Sequence, residues 1–382
     1  MIDAIQRWGT AFAEPFLSPA SRTFVPHLLV TVVVLLIVHR IQRRSGGWKQ
    51  ALGMHLWGHR SSQVDGQLLI ARRVLAITGL VPVIGGAWWV AVRLSTTLDR
   101  WVGQPELPAL STFWVSVGYT VVLFVVWDLS RFVTHLALHK IPVLWEFHQV
   151  HHSAEVLTPL TFHRTHPVES LLYGLRGVLT TGPMAGLAYW LFRGSAIEFT
   201  LLGVHGAGFV FTAISGNLRH SHAWIRFPAS VERWLISPAQ HQMHHALDRA
   251  HHDANFGTWL AVWDRAWGSL QLAPVEPVTA MGLAAPNHDP HSWLSALVSP
   301  FGSVVRTRFA VPAFGTVLAM AIPALAQADD GASGDSDEVE DLDEEPEFDG
   351  SMIVTAEGGS PRVAGSAHVI SEADLERHEY TD

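Results

Sequence analysis

The 382-residue chain contains no cysteine. That excludes disulfides, iron–sulfur clusters and thiolate zinc sites built from its own residues. Charge is also sparse. Asp, Glu, Lys and Arg make up 15% of the residues, against 48% hydrophobic residues and 16 tryptophans. Such a balance is the composition of a membrane protein. There is no basic stripe and no nucleic-acid motif, so nucleic acid is not expected as a partner.

The net charge of −9 averages two unlike parts. Asp329–Asp382 holds 18 acidic and two basic side chains, whereas Met1–Ala328 holds 23 basic and 16 acidic ones. A basic membrane body and a disordered acidic tail are expected.

Histidine is what the sequence has in excess. Fifteen of its 23 histidines fall between His135 and His252. His135 and His139 form H-x-x-x-H. His148, His151 and His152 form H-x-x-H-H, and His241, His244 and His245 repeat that spacing. On a helix, positions i, i+3 and i+4 share a face, so each cluster is expected to aim two or three imidazoles at one point. Neutral imidazole suits iron, zinc, copper or nickel. Eight imidazoles exceed the needs of one ion, and two metals are the economical reading.

Hydropathy and charge supply a scaffold. Phe24–His39, Val74–Leu94, Leu110–Leu129, Leu171–Phe192 and Ala196–Gly216 are apolar runs of spanning character. Arg40–Arg73 carries seven basic side chains and one acid, Asp65, and so is placed in the cytoplasm. All three histidine clusters then fall on the cytoplasmic face. The expected fold is all-α: a polytopic membrane bundle of about four or five transmembrane helices under a cytoplasmic, histidine-rich helical cap. Trp224–Leu272 reads as amphipathic helices on the inner leaflet. The expected divisions are an N-terminal transmembrane region (1–127), a catalytic domain (128–272), a Pro- and Ala-rich linker (273–305), a signal-peptide-like or transmembrane segment (306–328) and an acidic tail (329–382).

The histidine boxes and their flanks also carry a resemblance. Leu144–Ser153 (LWEFHQVHHS), Arg164–Glu169 (RTHPVE), Asn255-Phe256-Gly257 and Trp263–Gly268 (WDRAWG), in that order, resemble the fatty acid hydroxylase / sterol desaturase superfamily of membrane di-iron enzymes. The resemblance covers Asp128–Leu272. It implies two iron ions, with zinc as the alternative, held by His135, His139, His148, His151, His152, His241, His244 and His245. It adds His220 as a ninth ligand. Asp128, His166, His205 and His222 are candidates for an extra ligand or for orienting one.

The implied reaction is hydroxylation of a lipid C–H bond with O2 and external electrons. A desaturase on the same scaffold is one alternative, and a non-catalytic metal-binding membrane protein is another. The chain has no H-P-G-G haem segment and no flavin or ferredoxin signature, so a separate electron donor of ferredoxin or cytochrome type is expected.

The C-terminus reads differently. Arg306–Ala328 has the form of a secretory signal peptide ending in Ala326-Gln327-Ala328. The stretch from Met352 to Arg377 resembles the start of the plug of a ferric-citrate-type TonB-dependent receptor. A fused fragment of a receptor gene is the favoured origin, with a sixth span and an acidic outer tail as the alternative. A bacterial inner membrane is the expected location, with the site on the cytoplasmic side.

Overall fold

The computed structural model describes residue 9 and residues 12–43, 45–77, 86–108, 110–193, 200–201 and 204–310. The signal-peptide-like segment beyond residue 310, the acidic run and the plug-like stretch lie outside the described residues. Nine helices matter for the site: α1 (Val25–Ile41), α2 (Arg60–Ile77), α3 (Ala87–Trp101), α4 (Thr112–Lys140), α5 (Pro142–His152), α6 (Pro167–Phe192), α7 (Pro238–His244), α8 (Val262–Trp267) and α9 (Trp293–Ala310). The only strand pairing among the described residues is a two-residue antiparallel ladder, Thr200 with His205 and Leu201 with Val204.

Helix α4 is the spine. Its 29 residues rise about 43 Å at 1.5 Å per residue. Among the described residues it is the one helix long and apolar enough to cross a membrane, and α1 is apolar but only 17 residues long. The third apolar run therefore does not end at Leu129. It continues unbroken and carries His135 and His139 on its last turns.

Ala196–Gly216, expected as one span, is not a single helix. Its described part is the ladder, a short helix Gly206–Phe211 and a π-helical turn Thr212–Gly216. Gly206 and Gly208 weaken helix propagation there. Val74–Leu94 lies partly outside the described residues, with α2 and α3 on either side.

Proline sets the corners. Ile141 is extended (φ −96°, ψ 111°), as a residue before proline prefers, and Pro142 starts α5 without needing an N–H partner. Pro167 and Pro238 begin α6 and α7 in the same way. The His166 side chain caps α6 by accepting from the Val168 N–H, and a Ser237–Gln240 capping box fixes α7. These breaks turn the second and third boxes back onto the end of α4.

Gly182 and Gly186 let α6 pack directly on α3. A Cβ at Gly182 would lie 2.8 Å from the Ala87 carbonyl oxygen, and one at Gly186 would lie 2.6 Å from that of Ala91. Leu29, Val33 and Ile37 on α1, Val121 and Val122 on α4, and Leu179 on α6 stay exposed on the outside of the fold.

Two expected peripheral pieces belong to the core. Residues 273–305 are not a free linker. The Pro290 carbonyl accepts from Arg164, His288 meets Ser153 at 3.0 Å, and Ala296 of α9 packs with Val64, Leu68 and Val150. Trp224–Leu272 also reaches inward, with Gln240, Asn255, Phe256, Ala261 and Asp264 wholly buried, while Trp234, Leu235 and Trp267 stay exposed. Proline content hid the first, and tryptophan and arginine at the rim hid the second.

Candidate metal centre

Nine histidines converge at the ends of α4, α5 and α7. His135, His139, His148, His152 and His244 form one group, and His151, His220, His241 and His245 form a second. Within each group one ring nitrogen per residue lies within 4.8 Å of all the others. The expectation that each cluster aims at one point fails in an informative way. In the second box, His148 and His152 serve the first group and His151 the second. In the third box, His241 and His245 serve the second group and His244 the first. Positions i and i+4 lean to one side of a helix while i+3 leans to the other, so each H-x-x-H-H box bridges both groups.

The backbone holds several rings by Nδ1. His135 Nδ1–H donates to the Phe256 carbonyl at 2.8 Å, His244 to that of Ala254 at 2.7 Å, and His151 to that of Arg164 at 3.2 Å. A carbonyl only accepts, so these rings carry their proton on Nδ1 and turn a lone pair inward at Nε2. His244 Nε2 stands 3.0 Å from His135 Nε2, and His220 Nε2 stands 3.2 Å from His151 Nε2. For His135 and His244 these are two facing lone pairs, which repel that close unless a cation lies between them. Imidazole nitrogens bind first-row ions at about 2.0–2.1 Å, which puts adjacent ligand atoms about 3.0 Å apart. In the second group, His245 leaves both ring nitrogens buried without a hydrogen bond, and His220 leaves Nδ1 so. The donor set fits a metal in each group.

Electrostatics point the same way. Burial pushes His244 down to about 3. Burial also pushes His151 down to about 4, with Glu169 opposing. His152, His220, His241 and His245 are held well below the ordinary imidazole range by burial and by one another. All are neutral near pH 7, the form that ligates.

The segments that flank the boxes have physical roles. Arg164, wholly buried, pairs with Asp65 of α2 at 3.0 Å and donates to the carbonyls of Val150, Ser61 and Pro290. Glu169 lies 3.2 Å from His148 Nδ1. Asp264 accepts from the N–H groups of Phe256 and Gly257 at 2.8 and 2.7 Å, fixing the loop whose carbonyl holds His135. The Phe256 ring packs edge-on against His135, His139 and His244.

The four extra candidates stand outside both groups. Asp128 touches no histidine. It accepts from the N–H groups of Trp259 and Leu260 and from the Trp263 indole, holding the same loop from α4. His166 caps α6 and meets the Leu297 carbonyl at 3.0 Å. His205 meets the Thr120 carbonyl at 3.1 Å, and His222 packs beside Gly53.

Sequence reading missed Arg219 and Asp253. Arg219 donates to His241 Nδ1 at 3.3 Å and to the Gly257 carbonyl at 2.9 Å. Burial, then the nearby Arg131, pushes it down to about 9. Asp253, at φ 59°, lies 3.5 Å from His139 Nδ1 and 2.7 Å from Lys140 Nζ. Neither shows a spacing signal in the sequence. A cavity of about 250 Å³, lined by His139, Trp145, His152, His244, Asp253 and Leu283 among others, opens onto the first group.

Residues 120–269 match the fatty acid hydroxylase family. The chain is 26% identical over 205 residues to ornithine lipid hydroxylase OlsE of Rhizobium tropici, covering 52% of this chain and 56% of that protein. It is 26% identical over 211 residues to human cholesterol 25-hydroxylase, covering 51% and 68%. It is 23% identical over 144 residues to human alkylglycerol monooxygenase, covering 38% and 28%. The chain thus spans a little over half the length of the first of these relatives. No solved structure matches it. The family match and these relatives support the superfamily that the histidine boxes resemble.

Proposed function

We propose that the protein is a membrane-bound di-iron oxygenase that hydroxylates a C–H bond of a lipid. It would use O2 and electrons from a separate donor of ferredoxin or cytochrome type. The observation that carries the reading is the sorting of nine histidines, eight buried and His139 half-buried, into two compact groups. His135, His139, His148, His152 and His244 would hold one ion, and His151, His220, His241 and His245 the other. When bound, two iron ions supply the O2 activation that an unactivated C–H bond requires.

The chain's own residues orient and seclude. The carbonyls of Phe256, Ala254 and Arg164 fix three tautomers, and Glu169 fixes a fourth. Phe256 covers the first group against water, while the cavity beside His139 gives a small reactant access to it. The exposed apolar faces of α1, α4 and α6 favour a bilayer around the fold, with further spans beside α4, the site on the cytoplasmic side and a bacterial inner membrane as host. A non-catalytic zinc protein fits less well, because five imidazoles exceed the four-coordinate habit of structural zinc.

Lipid mass spectrometry tests this. The full chain and a His244→Ala variant are expressed in bacterial membranes under ¹⁸O2. A lipid class that gains one labelled oxygen only with intact boxes is the expected result. A class losing two hydrogens would replace hydroxylase by desaturase. Two iron ions bound with no lipid changed, in a host supplied with donor and candidate lipids, would overturn the oxygenase reading.

A further inference from the structure

Beside the second histidine group lies a set of four arginines, one of which, Arg219, also holds the ligand-candidate His241. Arg22, Arg131, Arg176 and Arg219 come from four separate segments, yet Arg131 stands close enough to each of the other three to repel it. Arg131 and Arg176 both flank the Trp127 ring, at 4.9 and 5.2 Å, and Arg131 also lies 5.2 Å from the ring of Tyr173. Arg219 adjoins His241, and Arg131 Nε donates to Thr258 Oγ1, one residue beyond Gly257.

Arg219 is buried and the other three are half-buried; Arg22 donates to the Gly216 carbonyl and Arg176 to Ser130 Oγ, but these neutral partners leave the gathered positive charge uncompensated. The ion pairs of Arg and Lys among the described residues go to Arg73, Lys140, Arg164 and Arg193, and none reaches this set. Asp128 and Asp264 lie near enough to Arg219 to offset part of this charge, but they form no ion pair with the set and each is held by backbone N–H groups, so two carboxylates stand against four cations. Arg219 is 3% exposed and its Nε has no hydrogen-bond partner, and the buried Nε of Arg176 has none either. An unsatisfied buried guanidinium N–H is costly, more so among like charges. Around the set, the outer faces of α4 and α6 expose Leu129, Val133, Leu175 and Leu179.

We propose that Arg22, Arg131, Arg176 and Arg219 bind the anionic head group, a carboxylate or phosphate, of an amphiphile whose tail lies along α4 and α6. This rests on the oxygenase reading only in taking the amphiphile as the substrate. Binding itself needs neither metal nor O2, so the two fail separately.

The test uses the full chain in non-ionic detergent with tritiated palmitate and tritiated hexadecanol, compared by scintillation proximity. Palmitate is expected to bind about tenfold more tightly than hexadecanol, the worth of one charge-assisted hydrogen bond. Arg131→Gln and Arg176→Gln should each remove that advantage without changing hexadecanol binding. Arg176→Lys should keep part of it, and Arg265→Gln, on the surface, should keep all of it. Equal binding of the two probes, or an unchanged preference in Arg176→Gln protein of normal melting temperature, would overturn the proposal. Full displacement of palmitate by millimolar inorganic phosphate would overturn the amphiphile and leave a small-anion site.

Discussion

The Glu169 carboxylate lies 3.2 Å from Nδ1 of His148, with only 3% and 2% of the two side chains exposed. Burial works against its charge, but His148 and then His151 outweigh that and hold the carboxyl below its usual range. A carboxylate there keeps the imidazole proton on Nδ1 and the Nε2 lone pair directed at the first group. Glu169→Gln keeps the size and loses that charge. It should weaken metal binding by roughly 10- to 100-fold, as loss of such an outer partner usually does. Chelator competition measures this. An unchanged midpoint would remove Glu169 from the site.

His152 and His245 stack at 4.4 Å yet belong to different groups. Removing either should therefore empty one group and spare the other. Each single alanine variant is expected to retain roughly half the wild-type metal, and the double variant almost none. Elemental analysis of purified protein decides. Loss of all metal in either single variant would mean that the groups fill as one unit.

Several buried imidazoles make the metal-free protein acid-sensitive. Burial holds His244 and His163 at about 3, and His151 and His288 at about 4. Their unfolded value is about 6.5. Between these limits the unfolded chain binds protons that the folded chain refuses, so stability rises with pH there. The stabilising neutral state is complete above about pH 7 and is lost as pH falls from about 6.5 towards 4, by up to ~1.4 kcal/mol per pH unit for each histidine. Melting temperatures of the apo protein should be level from pH 7 to 8 and drop steadily below 6.5. A level profile down to pH 4.5 would contradict the burial of these rings.

What the sequence disclosed was mostly local. The three histidine boxes picked out eight of the nine histidines that converge, because i, i+3 and i+4 geometry is set within one helix, and His220 came only from the family resemblance. The crossing of each box between two groups was not legible, since it depends on how Pro142 and Pro238 turn α5 and α7 against α4. The partners of Asp128, a candidate for an extra ligand or for orienting one, were not legible either, because its oxygens are taken by the N–H groups of Trp259 and Leu260, more than 100 residues away in sequence. Asp65 read as the lone acid of a basic loop, and only the fold shows it buried against Arg164.

That pair gives a stability test. Arg164 and Asp65 are both fully buried, and Arg164 also donates to four backbone carbonyls. Breaking a buried pair by removing one partner costs about 3–5 kcal/mol, because the other charge is stranded. Asp65→Asn and Arg164→Met should each lower the denaturation midpoint sharply. In the double variant the stranded charge is gone, so its loss should be smaller than the two single losses added. Additive losses would show that the carbonyl bonds of Arg164, and not the ion pair, carry the effect.

Gly257 offers the most local test of how the closing loop supports the first group. A Cβ there would meet Asp264 Oδ2 at 2.7 Å, the Leu260 carbonyl oxygen at 2.9 Å and Ile236 Cγ1 at 3.0 Å. Two of these neighbours are fixed: Asp264 by the Phe256 and Gly257 N–H groups and by Ser269, and Leu260 by its bond to Asp128. The loop must move instead, and it carries the Phe256 carbonyl that holds His135 at 2.8 Å. Gly257→Ala should cost about 1–3 kcal/mol, the range for inserting a methyl group into a packed interior. It should also weaken metal binding in the first group more than in the second, because His135 belongs only to the first. Gly302→Ala on α9, where a Cβ meets nothing within 4 Å, is the matched control and should leave both quantities unchanged. Equal loss of metal from the two groups in Gly257→Ala protein would show that the loop supports the whole fold and not His135 in particular.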